Sequence, residues 1–488
     1  MGIVTSQSFK NTVTTYMGFG IGALNTLFLY TYFLTDIYYG LVSFILSTAN
    51  IVMPLMAFGA HNTIIKFYSS FKTKNSLNSF LTLMLFLPLV MIIPVGLIGC
   101  FTYEAIGELL SQKNGIVKGY VWYIFISAVA MAYFEVFFAW SKTQLQTVFG
   151  NFMKEVFHRV GVMLLLFAVY FKWLDVEQFV LGVVWVYIIR TLVMKLYAFA
   201  IKFPVLKFNR IEGIRGILKY SALIIIAGSI ATIILDIDSF MLGMYIPIQE
   251  VAYYGVAIYI ATVIVVPSRA MQQILQPLTA QYLNDKNKVA LNDLYVRSSQ
   301  TLFVIGGFIF IIILININAL YLLIPKEFSG GLLVVFLVGI AKLYDCLMGC
   351  NNVVLFNSDY YRMVLLFGVV LTILTIFLNM LFIPKYGING SAFATFLAIL
   401  VYNSIKIYFV KIKFNMMPFN LNTAKVLGVI VFSVLVFYFW EFPFHPIINI
   451  ALKSLLATIV YVTIVIKLNV SEDISGIIKK YLNQIYNF

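Results

Sequence analysis

Residues 219–282 read KYSALIIIAGSIATIILDIDSFMLGMYIPIQEVAYYGVAIYIATVIVVPSRAMQQILQPLTAQY. The stretch holds two apolar runs of about 20 residues each, the length that an α-helix needs to cross about 30 Å of hydrocarbon. A short acidic turn with Asp236 and Asp238 joins the runs, and Lys219 and Arg269 lie at their far ends. The stretch therefore predicts a membrane hairpin whose two basic ends lie on the same side.

The composition of the whole chain indicates a membrane protein. Of its 488 residues, 62% are hydrophobic and only 11% are charged, whereas a soluble domain carries about a quarter charged residues. Apolar runs of this length are helices rather than strands of a β-barrel. The net charge of +14 does not predict a nucleic-acid partner, because the charges lie mainly in short loops between the runs.

Fourteen apolar stretches are long enough to be membrane spans, and Pro443 and Pro446 separate the last two. The predicted fold is an all-α integral membrane protein. The predicted spans are 12–34, 38–60, 79–101, 119–140, 156–173, 178–200, 217–240, 249–270, 300–323, 331–353, 362–383, 389–410, 424–440 and 446–466.

Basic residues are distributed unevenly over the predicted loops. Most of the 33 lysine and arginine residues lie on the side of the N terminus, which includes the connection at 201–216. Cytoplasmic loops are enriched in lysine and arginine, so both termini are predicted to be cytoplasmic. The expected location is the inner membrane of a bacterium.

Two similar segments indicate an internal repeat. Tyr38-Tyr39-Gly40 and Tyr253-Tyr254-Gly255 each follow an acidic turn, and a proline follows each of them, at Pro54 and at Pro267. Repeats of this kind are common in secondary transporters, whose substrate path lies where the repeats meet. The predicted domains are an N-lobe of six spans at 1–205, a pseudo-symmetric C-lobe of six spans at 206–412, and a C-terminal helix pair with a cytoplasmic tail at 413–488.

Two motifs resemble those of bacterial polysaccharide flippases, a family of the multidrug/oligosaccharidyl-lipid/polysaccharide exporter superfamily. Asp238-Ser239-Phe240-Met241-Leu242-Gly243, followed by Tyr254-Gly255, resembles the family's seventh and eighth helices. The run from Ile383 to Ala392, IPKYGINGSA, followed by Ala394-Thr395, is similar to the turn between its eleventh and twelfth helices. The resemblance covers nearly the whole chain, and the motifs say nothing about which sugar is carried.

This resemblance implies a flippase that moves a polyprenyl-diphosphate oligosaccharide from the cytoplasmic to the outer leaflet, for O-antigen, capsule or exopolysaccharide synthesis. The head would cross in a cleft between the lobes by alternating access, while the lipid tail stays in the bilayer. The implied partners are this substrate, membrane lipids, and a glycan polymerase and glycosyltransferases of the same pathway. No cofactor is expected, and coupling to the membrane potential, H⁺ or Na⁺ is left open.

Three alternatives belong to other functional classes. A multidrug exporter of the same superfamily is the first, although such exporters usually have twelve spans. A membrane glycosyltransferase or polysaccharide polymerase is the second, and such enzymes need a long catalytic external loop, which the spacing of the spans does not provide. A receptor or scaffold without transport is the third. The sequence contains no P-loop, and its three histidines are too sparse for a metal cluster, so we predict no enzyme and no metal site.

Arg269 is the first candidate for binding the substrate diphosphate. It lies at the inner end of the eighth predicted span, close to Gln272, Gln273 and Gln276. A guanidinium keeps its charge and pairs bidentately with phosphate oxygens. The alternative is that Arg269 only anchors the topology.

Ionisable groups inside spans are costly, and they mark either function or pairing. Lys342 and Asp345 share one helix face, so they either neutralise each other or face an aqueous cavity. Asparagines inside spans either contact sugar hydroxyls or bond between helices. The candidate substrate-binding residues are Arg269, Lys342, Asp345, Arg190, Lys66, His61, Asn25, Asn50 and Gln273, and the candidate gating residues are Asp36, Asp236, Asp238 and Glu135.

Overall fold

The backbone is almost entirely helical. The computed structural model describes residues 3–471, 473–474 and 476, and within these ranges the side chains of 3–6, 8–9, 226–235 and 273 lie outside the description. The described residues contain no strand. Helices satisfy every backbone hydrogen bond within one segment, as the hydrocarbon of a bilayer requires. The prediction of an all-α fold is confirmed.

Packing divides the chain into two units, Met1–Gly255 and Val256–Phe488. In the first unit, π-helical turns at Asn25–Leu29 and Met153–Phe157 join α1 to α2 and α9 to α10. The helices of this unit are α1 (Ile3–Leu24), α2 (Tyr30–Phe33), α3 (Asp36–Met56), α4 (Ala60–Phe67), α5 (Lys74–Phe86), α6 (Leu89–Phe101), α7 (Tyr103–Ser111), α8 (Val121–Thr143), α9 (Val148–Phe152), α10 (His158–Tyr170), α11 (Val176–Ile201) and α12 (Ile214–Tyr245). Helix α13 (Ile248–Thr262) begins in this unit and ends in the second.

The second unit continues with seven helices among its described residues. These are α14 (Val266–Asn284), α15 (Lys288–Tyr321), α16 (Leu332–Leu347), α17 (Asn351–Asn357), α18 (Tyr361–Phe414), α19 (Leu421–Tyr438) and α20 (Pro446–Leu468). A core of buried aliphatic and aromatic side chains, mainly from α15, α16, α19 and α20, holds this unit together.

Helix α18 consists of two helices that meet at Gly387. The backbone of Gly387 has φ 57° and ψ −134°, a conformation that is strained for a residue with a Cβ. A Cβ added at Gly390 would collide with the carbonyl of Phe382, so the two arms approach closely here. The IPKYGINGSA motif is therefore the turn between two helices, as the sequence predicts.

The number of spans is consistent with the prediction. By length and hydropathy, the described residues hold ten candidate spans, and one of these, Tyr361–Phe414, contains two of the predicted spans. The predicted spans 12–34, 156–173 and 217–240 are also helical over most of their length. The count of fourteen stays a prediction. The lobe boundaries at 205 and 412 refer to an internal repeat rather than to packing units, and they stay a prediction as well.

Helix α3 is central to the first unit, because it packs against both α8 and α12. A Cβ added at Gly40 would collide with the carbonyl of Ile248, so the first Tyr-Tyr-Gly triplet allows α3 to approach the start of α13. Asn114, on the loop before α8, donates to the carbonyls of Gly243 (2.7 Å) and Ile246 (3.0 Å) and accepts from the Ile248 amide (2.8 Å). These contacts fix the turn between α12 and α13 against the rest of the unit.

Candidate functional site

Two of the predicted gating aspartates bind the tyrosines of the second Tyr-Tyr-Gly triplet. The Tyr253 hydroxyl donates to Asp36 Oδ2 (2.5 Å), and the Tyr254 hydroxyl donates to Asp238 Oδ2 (2.7 Å). Asp36 lies in the first turn of α3, and Asp238 lies on α12 and is buried. The triplet therefore joins α13 to α3 and α12 at one end of the first unit.

Asp236 and Asn50 also lie together, on α12 and α3. The Asp236 carboxyl hydrogen-bonds to the side chains of Ser47 and Asn50. The spacing of Asp236 and Asp238, two residues apart, directs them to different partners. The structure thus places three predicted gating residues and one predicted substrate contact around the α3–α12 packing, and their roles stay predictions.

Glu135, the fourth predicted gating residue, lies apart from these aspartates. It is on α8, about two turns before the helix ends at Thr143. Its carboxylate forms an ion pair with Lys154 Nζ at 2.6 Å, and Arg190 on α11 lies within electrostatic range of it. Glu135, Lys154 and Arg190 form the first-unit cluster, and Lys142, His61 and Glu155 also lie within electrostatic range of its members.

Arg190 is the most deeply buried member of this cluster, with 6% of its surface exposed. Its guanidinium lies over the rings of Phe134 (4.2 Å) and Tyr187 (4.6 Å). Such cation–π contacts stabilise a desolvated guanidinium by about 2 kcal/mol but use none of its N–H donors. Its buried Nε has no hydrogen-bond partner among the described residues. The site therefore presents a cation with a free donor inside an apolar unit.

Three other predicted contacts in the first unit have partners for part of their polar groups, while Asn25 Oδ1 and His61 Nδ1 have no hydrogen-bond partner among the described residues. Asn25 begins a π-helical turn, a feature frequent at functional sites, and its amide donates to the Arg159 carbonyl (2.8 Å). The ring of His61 contacts the Asn62 amide at 3.0 Å. Lys66 Nζ lies 3.8 Å from the centre of the Tyr220 ring.

Arg269 is exposed and lies in the first turn of α14, directly after a 3₁₀ turn at Val263–Val265. The predicted eighth span ends at residue 270, whereas α14 continues to Asn284. The helix is interrupted at the 3₁₀ turn, before Arg269, because Pro267 fits the first turn of a new helix. The side chain of Gln273 lies outside the described residues.

In the second unit, four side chains form a connected group. Lys342 Nζ lies 3.8 Å from Asp345 Oδ2, and Asp345 Oδ1 accepts from the Asn403 amide (2.8 Å). Asn403 Oδ1 accepts in turn from Lys406 Nζ (3.4 Å). Lys342, Asp345, Asn403 and Lys406 form the second-unit cluster.

Lys406 is the residue of this group whose position the sequence analysis missed. Its basic character assigns it to the cytoplasmic side, but only 1% of its surface is exposed, and its Nζ lies 4.1 Å from the centre of the Tyr402 ring. A signal was available, because Asn403 and Lys406 are three residues apart inside the apolar span 389–410 and so share a helix face.

The fold is shared with solved membrane transporters. The lipid II flippase MurJ, in an inward-closed conformation, is similar over 93% of this chain and 97% of its own, with a TM-score of 0.74 and 13% identity. An inward-facing multidrug resistance transporter of the MATE family and MOP superfamily is similar over 85% and 95%, with a TM-score of 0.60 and 12% identity. At these identities the similarity shows the fold alone.

The chain is therefore a multi-pass membrane protein with the fold of the multidrug/oligosaccharidyl-lipid/polysaccharide exporter superfamily, as its motifs suggest. The family described as "Polysaccharide biosynthesis protein" matches residues 7–282, more than half of the chain. The chain belongs to this family. A comparison with curated proteins finds no match.

Proposed function

We propose that this protein moves a polyprenyl-diphosphate oligosaccharide from the cytoplasmic to the outer leaflet of the bacterial inner membrane. Membership of a polysaccharide biosynthesis family supports the substrate class, and a fold shared with a lipid flippase supports the reaction. The glycosyltransferases that build the substrate and the polymerase that consumes it would be its partners. Transport is a movement between leaflets, and no step of it requires a catalytic residue.

The burial of Arg190 with an unused hydrogen-bond donor is the observation that supports this proposal most directly. A charged side chain inside a membrane protein costs several kcal/mol unless something compensates it. Here the nearby carboxylates of Glu135 and Glu155 are already paired with Lys154 and Arg159, and the guanidinium of Arg190 keeps an unused donor. A diphosphate supplies the matching charge and acceptors, because guanidinium groups bind phosphate oxygens in a bidentate, charge-assisted manner. A neutral or cationic solute would not supply the negative charge.

Transport by the purified protein in liposomes tests this function. A fluorescent polyprenyl-diphosphate disaccharide in the inner leaflet should become accessible to an impermeant quencher at a rate well above that of protein-free vesicles. The same disaccharide linked directly to the polyprenol should stay protected. This lipid isolates the diphosphate, because both molecules present the same sugar and the same hydrocarbon chain to the protein.

A multidrug exporter is the second candidate, because multidrug transporters share this fold over most of the chain. The same vesicles, loaded with a cationic dye, separate the two functions. We expect no dye movement above that of protein-free vesicles. Movement of the dye without movement of the diphosphate lipid would show that the protein is a multidrug exporter rather than a flippase.

The orientation of the chain is part of the proposal. Asn75, in the first turn of α5, and Asn209, in the connection after α11, are exposed and lie on the side that the basic residues assign to the cytoplasm. In a Cys100→Ser background, cysteines at these positions should react with an impermeant thiol reagent only after permeabilisation. A cysteine at exposed Lys113, on the opposite side, should react in intact cells. Labelling of Asn75→Cys in intact cells would show that the orientation is the opposite of the proposed one.

A further inference from the structure

An apolar groove of about 740 Å³ lies on the first unit, and none of the predicted gating residues is among its described lining residues. Its walls come from α5 and α6, from α8, from α11, and from the connection that follows α11. Side chains such as Phe86, Ile126, Leu192 and Phe203 line it and are exposed. The volume is within the range of small-molecule sites, about 300–1,000 Å³.

The floor of the groove has few free hydrogen-bonding groups to offer. The Thr191 hydroxyl donates to the Ala130 carbonyl (2.7 Å), and the Tyr133 hydroxyl donates to the Leu85 carbonyl (3.3 Å). These polar groups of the lining are thus engaged within the protein. An occupant of the floor gains by burying apolar surface rather than by forming hydrogen bonds.

One end of the groove is basic. Lys195 is the charged residue among the described lining residues, and its side chain is exposed. The connection beyond it carries Lys202 and Lys207, whose ammonium groups already bind Tyr68 (2.7 Å) and Asn75 (2.5 Å). Lys195 is therefore the cation available to a ligand at the rim.

The wall formed by the connection is held in place. The Trp140 indole donates to the Lys202 carbonyl (3.1 Å), and the Lys207 amide donates to Thr82 Oγ1 (3.1 Å). Pro204, which restricts the backbone, lies between these two anchors. The groove therefore exists before a ligand binds, which lowers the entropic cost of occupying it.

We infer that the groove binds an anionic membrane phospholipid, with one acyl chain along the floor and the phosphate at Lys195. The charge of the rim and the apolar floor together match this amphiphile, and the surrounding bilayer supplies it. In the orientation proposed above, the rim lies at the cytoplasmic leaflet, where a basic residue attracts anionic headgroups. Since α8 and α11 form two walls and also carry Phe134 and Arg190, a bound lipid would stabilise their spacing.

Native mass spectrometry of the detergent-purified full chain, titrated with phosphatidylglycerol or phosphatidylcholine of identical acyl chains, tests this site. We expect tighter binding of phosphatidylglycerol and a higher apparent melting temperature in its presence. Lys195→Ala should weaken phosphatidylglycerol binding by about fivefold, because one lysine near a charged lipid contributes about 1 kcal/mol. Lys195→Arg should keep most of the affinity. Ile126→Trp, which fills the groove, should weaken the binding of both lipids.

Lys72→Ala is the matched control, because it removes an equal charge from an exposed lysine that does not line the groove. Equal affinity for the two lipids overturns the proposal, and so does an equal loss in Lys72→Ala and Lys195→Ala. A polyprenyl phosphate that displaces phosphatidylglycerol from the wild type but not from Ile126→Trp would assign the groove to the transported lipid instead. None of these outcomes depends on whether transport is observed.

Discussion

The first-unit and second-unit clusters each centre on one carboxylate and two cations, in different arrangements. The first also has Lys142, His61 and Glu155 within electrostatic range. In the first, the carboxylate of Glu135 pairs closely with Lys154 (2.6 Å), and the other cation, Arg190, rests on two aromatic rings. One cation is therefore left with an unused donor.

In the second-unit cluster, the carboxylate is shared. Asp345 contacts Lys342 through one carboxylate oxygen and Asn403 through the other. The side-chain oxygen of Asn403 accepts a hydrogen bond from Lys406. Every charged member thus has a polar partner, so the group can be retained for packing alone. The number of buried charges therefore does not identify a binding site, whereas the pattern of their partners does.

Loss of the Arg190 charge should have the largest effect. Arg190→Met keeps an unbranched side chain over Phe134 and Tyr187 but removes the proposed phosphate partner. A hydrogen bond to a charged group contributes about 1.5–3 kcal/mol, so transport of the diphosphate lipid should fall by about 10- to 100-fold. The flipping rate in liposomes measures this, at equal amounts of reconstituted protein. The apparent melting temperature should change little.

Two variants sharpen this result. Arg190→Lys keeps the charge but loses the fork of donors, so it should retain part of the activity. Arg269→Met is the matched change in the second unit, where the guanidinium is exposed. If Arg269→Met abolishes transport while Arg190→Met transports at the wild-type rate, the diphosphate site lies in the second unit. The unused donor of Arg190 would then not mark the binding site.

The helices and the turn in α18 were predictable from the sequence for a physical reason. A long apolar run in a bilayer has to be helical, and the glycine of the IPKYGINGSA motif is required by a positive φ at Gly387. The partners of the polar side chains were not predictable. Tyr253 and Asp36 are 217 residues apart in the chain, and their contact depends on how each helix is rotated about its axis.

Depth along a helix was also difficult to predict. Lys406 precedes Lys411 and Lys413, and composition groups all three on the cytoplasmic side. The helix continues to Phe414, so Lys406 lies about two turns inside it. Arg269 lies near the end of a candidate span, Ile248–Gln272, close to the predicted end at residue 270, and the helix itself continues to Asn284. Hydrophobicity shows where a span lies along the chain. The exact ends of the helix depend on individual capping residues and on residues that interrupt the helix.

Asn403→Ala should have the next largest effect, and it should act on stability. Asn403 is fully buried and links Asp345 to Lys406. Its removal leaves a buried ammonium and a carboxylate oxygen without this partner, at a cost of about 1–3 kcal/mol. The apparent melting temperature in detergent should fall, while transport per folded molecule should stay near wild type. Ser404→Ala, an adjacent exposed position, should leave the melting temperature almost unchanged.

The smallest effect is expected for Lys342→Met. Lys342 and Asp345 are 3.8 Å apart on one helix face, and both side chains are partly exposed, at 17% and 34%. Ion pairs of this kind contribute about 0–1 kcal/mol, and Asp345 keeps its bond to Asn403 in the variant. The melting temperature should fall slightly, and the flipping rate should not change. A large loss of transport at unchanged stability would show that Lys342 contacts the transported head.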